Sequence, residues 1–160
     1  MTTSEHQPGL ADLAAVDLAR EMLRRSPHFN ELQLELLELE PGYCQMRLPY
    51  RDVYVGNLDT GVVHGGVITT LLDSVCGIAL ASLLDRPRPM ATLDLRIDYL
   101  RPATPAKAII GEARVDKRTH TIAFLSGRAF HEDDASEIAK ANGSFIMDSE
   151  QRAPDGEASS

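Results

Sequence analysis

The residues most able to do chemistry begin with a histidine and two glycines ahead of a long apolar segment. His64, Gly65 and Gly66 stand at the predicted start of a helix, where glycines let backbone N–H groups approach a ligand closely. A helix N-terminus carries unpaired N–H donors and partial positive charge, so this position can hold a phosphate, a carboxylate or a developing oxyanion. The glycines are also typical of a tight strand-to-helix turn, and taken alone they favour that simpler interpretation.

Asp73 is the second chemical feature, because it is the only acidic or basic residue between His64 and Asp85. A buried carboxylate is costly unless it is paired. Asp73 is therefore either a capped or ion-paired residue at a helix kink, or a general base or nucleophile. Gly77, one turn further on, costs a helix roughly 1 kcal/mol relative to alanine and would leave space for a ligand. We favour the catalytic interpretation of Asp73.

The spacing of His64 and Asp73 constrains any site that uses both. They are nine residues apart, which on a helix is about 13.5 Å and half a turn. One chain cannot aim both at a single carbonyl group. If both serve one site, they come from different subunits across a two-fold axis.

A long helix must position these residues, and the sequence predicts it at residues 65–84. This segment is mostly apolar and about the length that spans a bilayer. Asp73 lies near its middle, however, where an acid costs roughly 2.5–3.5 kcal/mol on insertion. A helix that is apolar nearly all round is also typical of one buried in protein, so we predict a central buried helix and no membrane association.

The remaining elements are one more helix and a set of strands. Helical spacing of apolar residues predicts a helix at Leu10–Arg25, which Ser26-Pro27 would stop. Residues 49–63 are predicted to form a polar loop. Strand periodicity is found at residues 32–36, 43–48, 92–99, 107–117, 121–130 and 137–147. This order predicts an α+β fold whose antiparallel sheet wraps around the central helix, and the exposed edge of such a sheet favours an oligomer.

The strand at 92–99 alternates regularly. Its predicted apolar face is Leu93, Leu95, Ile97 and Tyr99, and its predicted polar face is Thr92, Asp94, Arg96 and Asp98. Antiparallel self-pairing centred on Leu95 would set Asp94 opposite Arg96 of the partner subunit, and such cross-strand charge pairs stabilise by about 0.2–1 kcal/mol. We therefore predict that this strand lies near a two-fold axis.

Composition excludes several classes of function. The chain has 160 residues and a formal net charge of −8, which argues against broad nucleic-acid binding and against adhesion to anionic membranes. Its two cysteines show no CxxC pairing and its five histidines have no metal-ligand spacing. No signal-like segment opens the sequence, so we predict a cytoplasmic protein. We expect a disordered N-terminus at 1–10, one domain at 11–148 and a flexible tail at 149–160.

Residues 56–80, GNLDTGVVHGGVITTLLDSVCGIAL, resemble the signature of the PaaI-like hotdog-fold acyl-CoA thioesterases. Residues 91–103, ATLDLRIDYLRPA, resemble the next element of that family, and the similarity covers roughly residues 45–147. The resemblance implies a hotdog fold, here with an extra N-terminal helix, assembled as a homodimer or homotetramer. It also implies hydrolysis of an acyl-CoA to a free acid and coenzyme A, without a metal or a bound prosthetic group.

The same resemblance implies roles for individual residues. Asp73 would attack the thioester carbonyl or activate a water molecule, and the N–H of Gly65 or Gly66 would polarise that carbonyl. Thr92 would assist hydrolysis, and His64 would hold the loop geometry.

Two groups of residues could position the substrate. The resemblance implies that Asn57 orients substrate or water. Asn57 lies seven residues before His64, where the family commonly has six, so Asp59 or a shifted loop could take its place. Basic residues in predicted turns are mostly surface charges, but some could contact the phosphates of coenzyme A. The candidates are Arg88, Lys117 and Arg118.

Two other functions stay open. A hotdog hydratase or dehydratase would act on the same thioesters, but it usually needs a His-plus-acid pair, and His64 has no same-chain acid at workable spacing. A non-catalytic acyl-CoA binding module would bind the thioester and release no thiol.

Overall fold

The computed structural model describes residues 10–86 and 88–147. The helices are α1 (Leu10–Arg25), α2 (Pro27–Glu31) and α3 (Gly65–Ala81), with a 3₁₀ turn at Asp52–Tyr54. The strands are β1 (Glu35–Glu40), β2 (Tyr43–Leu48), β3 (Val55–Asn57), β4 (Val62–Val63), β5 (Met90–Tyr99), β6 (Ile109–Arg118), β7 (Ile122–His131) and β8 (Asp134–Met147). The disordered N-terminus is predicted at 1–10; residues 1–9 lie outside the described residues, whereas Leu10 is the first residue of α1. The predicted tail at 149–160 also lies outside the described residues.

Six strands form one antiparallel sheet in the order β1-β2-β6-β7-β8-β5, and β3 pairs with β4 in a small hairpin just before α3. The strand β5 is therefore an edge strand, although it comes directly after α3 in the chain. Helix α3 packs on one face of the sheet, mainly against β2, β6 and β7. This confirms the predicted α+β architecture, with a long central helix and an extra N-terminal helix.

The core forms around α3. Leu71, Leu72, Val75 and Leu80 have no solvent exposure, so the helix is buried on most of its circumference, as its sequence predicts. The sheet lies very close to the helix at Gly111 of β6, where an added Cβ would lie 2.7 Å from the Cγ of Leu71. Only glycine allows the helix and the sheet to approach so closely.

The helix α3 ends at Ala81, three residues before its predicted end. Ser82 is the C-cap residue, and its Oγ accepts a hydrogen bond from the Gly42 N–H at 2.8 Å. The end of the central helix is thus tied to the turn between β1 and β2. This contact joins residues forty positions apart, so local sequence signals could not place the helix end.

The first hairpin differs from its prediction. Ser26 does end α1, but it then caps α2 by accepting a hydrogen bond from the Phe29 N–H at 3.4 Å. The predicted start of a strand at residue 32 is wrong. The chain first turns at Gln33, whose φ of 53° is left-handed, so β1 begins at Glu35.

Two further predictions, the polar loop at 49–63 and the start of the last strand, are wrong. Residues 49–63 are not a plain polar loop, since they contain the 3₁₀ turn and the β3–β4 hairpin. The last strand begins at Asp134 rather than 137, because His131 and Asp134 pair across a two-residue turn and extend the β7–β8 ladder.

The predicted faces of β5 are also corrected. The pairing of β5 with β8 shifts between Thr92 and Asp94, which makes Leu93 an unpaired bulge residue. A bulge inserts one extra residue, and a shift of one residue moves side chains to the other face of a sheet. Thr92 therefore faces the helix with Leu95, while Leu93 is 54% exposed.

Candidate active site

The structure brings Asp73 and Thr92 together. Asp73 lies in the middle of α3 and is half-buried, rather than fully buried as the sequence suggested. Thr92 Oγ1 donates a hydrogen bond to Asp73 Oδ1 at 2.9 Å. The other carboxylate oxygen, Oδ2, receives no hydrogen bond from the described residues, and no arginine or lysine among them pairs with it. One oxygen of Asp73 is thus held in place, and the other is free to act on a ligand.

The bulge at Leu93 makes this contact possible. Without it, Thr92 would share the face of Asp94 and Arg96 and would point away from α3. The predicted role of Thr92 depended on its position in the family motif, and the strand period by itself pointed to the wrong face.

A cavity of about 600 Å³ opens beside Asp73. Residues on five of the elements line it. They are Met22, Ser26, His28 and Phe29 near α1 and α2, Thr69, Thr70, Asp73, Ser74, Gly77 and Ile78 of α3, and Met90, Thr92, Leu95 and Phe145 of the sheet. The hydroxyls of Thr70 and Ser74 donate to backbone carbonyls of α3. Among the described residues that line this largely apolar space, Asp73 is the one acidic group.

His64 caps α3, and this decides which amides are free at the helix start. The His64 Nδ1 accepts a hydrogen bond from the Gly66 N–H at 2.9 Å. The His64 backbone carbonyl accepts a second one from the Val67 N–H at 3.0 Å. The Gly65 N–H donates to no group in the described part of the chain. Of the two predicted donors, Gly65 is available to a ligand and Gly66 is occupied.

Sequence analysis missed the part that Tyr99 plays at the same helix start. The Tyr99 hydroxyl donates a hydrogen bond to the Gly65 carbonyl at 2.7 Å and lies 2.7 Å from the Thr69 hydroxyl. It thereby holds the first turn of α3 against the end of β5. The one available signal was the period of β5, which placed Tyr99 on the same face as Leu95 but gave it no polar partner.

Asn57 lies in the β3–β4 hairpin and not at the cavity. Its Oδ1 accepts a hydrogen bond from the Asp59 N–H at 3.0 Å, and its carbonyl accepts one from the Gly61 N–H at 2.8 Å. These bonds close the turn ahead of α3. Neither Asn57 nor Asp59 lines the cavity beside Asp73.

Within one chain, the structure keeps two groups of predicted site residues apart. Asp73 and Thr92 line the cavity, whereas His64, Gly65 and Gly66 do not. The separation agrees with the helix spacing, which puts His64 and Asp73 about half a turn and 13.5 Å apart.

The three basic residues predicted to meet coenzyme A differ in their contacts. Arg118 donates to the Leu83 carbonyl at 2.6 Å, just beyond the C-terminal end of α3. Arg88 forms an ion pair with Asp85 at 3.2 Å. Lys117 is exposed and makes no ion pair within the ranges 10–86 and 88–147.

Cys76 is excluded as a nucleophile by its surroundings. Burial raises the pKa of its thiol to about 12, and the nearby Asp73 charge adds to the effect. The reactive thiolate is therefore scarce at neutral pH. Among the described residues, no three His, Cys, Asp or Glu side chains cluster as a metal site would require. No described helix has the length and apolar character needed to cross a membrane.

The chain was compared with known families and proteins. A family model described as the thioesterase superfamily matches residues 60–138. A "Putative esterase" of Pseudomonas aeruginosa is 36% identical over 115 residues, which cover 68% of this chain and 84% of that protein. The "Medium/long-chain acyl-CoA thioesterase YigI" of Salmonella typhimurium is 28% identical over 147 residues, covering 83% of this chain and 94% of that protein.

Solved structures agree with these matches. A Pseudomonas aeruginosa crystal structure is 38% identical and has a TM-score of 0.72, over 82% of this chain and 98% of that chain. The Escherichia coli PaaI protein from the phenylacetic acid degradation operon has a TM-score of 0.77 at 16% identity, over 86% of this chain and 96% of that chain. The second match supports the fold alone.

Proposed function

Because this chain belongs to the thioesterase superfamily, with the PaaI-like hotdog fold, we propose that it hydrolyses acyl-CoA thioesters with Asp73 as the catalytic carboxylate. The products are a free acid and coenzyme A. The observation that carries the proposal is the position of Asp73, which lines a largely apolar cavity and has one oxygen held by Thr92 and the other without a hydrogen bond from the described residues. The thioesterase name of the Salmonella typhimurium relative supports acyl-CoA as the substrate class.

The free oxygen of Asp73 can act in two ways. As a general base, it takes a proton from a water molecule whose oxygen attacks the thioester carbonyl carbon. As a nucleophile, it attacks that carbon itself and forms an anhydride, which water then opens. In both routes the C–S bond breaks and the thiolate of coenzyme A leaves and takes up a proton. Thr92 keeps the carboxylate oriented in either route.

Charge that develops on the thioester oxygen needs a donor, and the Gly65 N–H is suited to that role. It lies at the positive end of α3 and has no partner among the described residues. It lies eight residues from Asp73, about 12 Å along one helix. We therefore propose that each active site combines Asp73 of one subunit with Gly65 of the partner subunit.

The edge strand β5 supports this arrangement. Thr92, near its start, contacts Asp73, and Tyr99, at its end, contacts Gly65. Antiparallel pairing of two β5 strands about Leu95 would place the end of one strand beside the start of the other. Paired strands lie about 4.8 Å apart, so the partner's helix start would approach Asp73.

A thiol-release assay tests the activity. The purified protein is given acyl-CoAs with short, medium, long and aryl acyl groups, and free thiol is measured. We expect turnover above the uncatalysed rate with at least one of them. Binding of acyl-CoA without thiol release would favour a binding module, and loss of an enoyl chromophore without thiol release would favour a hydratase.

Subunit mixing tests the shared site. A Cβ at position 65 would lie 3.2 Å from the Tyr99 hydroxyl oxygen, so the Tyr99 side chain must give by a few tenths of an ångström. Gly65→Pro removes the free N–H at a position where proline suits a helix, and the His64 ψ of 134° is suitable for a residue that precedes proline. Mixed with Asp73→Asn subunits, it should regenerate one intact site in each heterodimer. No recovered activity after confirmed subunit exchange would show that each chain carries its own complete site.

A further inference from the structure

Gly77 lines the cavity one helical turn beyond Asp73, and packing gives no reason for a glycine there. Apart from the backbone of α3 itself, the nearest described atom to a Cβ added at Gly77 would be the Phe145 Cε1, at 3.9 Å, which is ordinary contact distance. Glycine is among the weakest helix formers, so its presence in the middle of α3 calls for another explanation.

Gly111, in the same core, is by contrast a glycine that packing requires. A Cβ at Gly111 would lie 2.7 Å from the Leu71 Cγ, so the helix and the sheet could not both keep their places. At Gly77 a methyl group would instead occupy the cavity. The missing side chain therefore keeps open the space directly beside the catalytic carboxylate.

Part of the wall of this space comes from the N-terminal segment. Met22 of α1 and Phe29 of α2 face the cavity together with Ile78 of α3 and with Leu95 and Phe145 of the sheet. Asp73 and these apolar side chains thus line the same cavity. The acyl group of a thioester whose carbonyl lies at Asp73 would enter this cavity.

We infer that this cavity holds the acyl chain of the substrate, and that Gly77 and Phe29 set the length of an unbranched aliphatic chain. The inference rests on the proposed function. The cavity has a volume of about 600 Å³, which lies in the range of pockets that hold drug-sized ligands. An acetyl group would therefore leave most of the cavity unfilled. The Met22 side chain is flexible and can pack along an aliphatic chain.

The inference is tested with straight-chain acyl-CoAs from acetyl to lauroyl. In the unmodified protein, kcat/KM should be at least about tenfold higher for octanoyl-CoA than for acetyl-CoA, because each accommodated methylene adds to binding in an apolar pocket. Gly77→Val should lower the octanoyl-to-acetyl ratio by about 10–200-fold. Gly77→Ala should lower it less, and it provides the test if the valine variant does not fold.

Phe29→Ala removes part of the apolar lining that the N-terminal segment contributes and should move the preferred chain toward decanoyl and lauroyl. Leu32→Ala is the matched control, because Leu32 follows α2 and packs against the core but does not line the cavity. The control should leave the order of preference unchanged. Thermal unfolding of each variant shows that the compared proteins are folded.

The outcomes separate the two proposals. If thiol release persists but the chain-length profile is the same in folded Gly77 and Phe29 variants, the acyl chain lies elsewhere and this inference is wrong. A higher rate with acetyl-CoA than with octanoyl-CoA in the unmodified protein would also overturn it. If no acyl-CoA releases thiol at all, the proposed function itself fails.

Discussion

At the scale of single residues, the Asp73 carboxylate is held by one neutral hydroxyl and by no cation among the described residues. The Oδ2 atom has no hydrogen bond from the described residues, and it is not among the buried polar atoms that lack a partner, so solvent reaches it. Asp73 leaves Oδ2 free at the edge of an apolar cavity. This arrangement suits a residue that completes its bonding only with a water molecule or a substrate.

Asp73→Asn keeps the shape of the side chain but cannot accept a proton or attack as a carboxylate. We expect turnover of the best acyl-CoA to fall by about 10²–10⁴-fold, with little change in the unfolding temperature. Thiol release and thermal unfolding must be measured on one preparation. Asp17→Asn, an exposed change on α1, is the control. A folded Asp73→Asn protein with near-normal turnover would end the catalytic assignment.

Tyr99→Phe removes only the hydroxyl that holds the Gly65 carbonyl. If Tyr99 positions the helix start, kcat should fall by about tenfold, the loss of one modest hydrogen-bond contribution of roughly 1.4 kcal/mol, while KM changes little. Tyr50→Phe removes a hydroxyl that donates to the Gly61 carbonyl and serves as the control. Equal changes in kcat and KM, or an effect on stability alone, would argue against a positioning role.

At the scale of elements, the site depends on how α3 and β5 are held to the rest of the sheet. The helix packs closely on the sheet at Gly111, and β5 is attached through its ladder with β8. The bulge in that ladder turns Thr92 toward Asp73. Changes in these contacts should therefore affect the fold and the site together.

Gly111→Ala tests the close approach of α3 to β6. The added methyl would overlap Leu71, and overpacking of a core typically costs about 1–3 kcal/mol. We expect a lower free energy of unfolding in denaturant titration. Gly77→Ala on the same helix is the comparison, since its methyl would lie at ordinary contact distance, 3.9 Å from the Phe145 Cε1, and should not destabilise. Equal stability of the two variants would contradict the packing described here.

Glu112, on the outer face of the sheet, leads to a prediction of how the stability of the fold changes as the pH falls. Burial acts to raise the pKa of Glu112, but hydrogen bonds from Arg128, Gln45 and Tyr43 outweigh it, so the pKa is lowered from its usual 4.5. Because the folded-state pKa is the lower one, the stabilisation is present above pH 4.5 and is lost as the pH falls through the folded-state value.

Glu112→Gln should therefore be less stable than the unmodified protein at neutral pH, by about 1 kcal/mol for a partly exposed pair. The difference should shrink as the pH falls below 4.5. Unfolding in denaturant at several pH values measures it. A difference that stays constant or grows toward low pH would show that the ionised carboxylate is not the stabilising form.

At the scale of the whole molecule, β5 is the feature that points beyond a single chain. It forms an edge of the sheet, and its Leu93 and Tyr99 side chains are each more than half exposed. Unpaired edge strands favour association with another strand. Pairing of two β5 strands would bury this edge and bring the two halves of the proposed site together.

Arg96→Asp tests that assembly. Arg96 bonds Asp98 of its own chain at 2.9 Å and would oppose Asp94 of the partner subunit in the proposed pairing. The reversal places three acids along one exposed face, so we expect a weaker dimer, by about 0.2–1 kcal/mol for each of two symmetric pairs. Analytical ultracentrifugation measures the dissociation constant, with Arg20→Asp on the exposed side of α1 as the control. An unchanged constant would place the two-fold axis elsewhere.

The sequence by itself determined the central helix, the α+β class and the separation of His64 from Asp73 along one chain. These follow from local rules, because apolar runs and helical rise depend only on neighbouring residues. The sequence also identified Asp73 as the leading candidate for the catalytic residue, because a single acid in a long apolar segment has few structural explanations.

Only the tertiary structure decided which side chains meet. The bulge at Leu93 turned Thr92 toward Asp73, and the strand period could not foresee it because a bulge depends on the pairing of β5 with β8. The sequence prediction likewise missed three contacts. His64 caps the Gly66 N–H, Tyr99 bonds Gly65, and Phe29 lines the cavity. Tyr99 and Phe29 meet their partners through long-range packing, which a local pattern does not record.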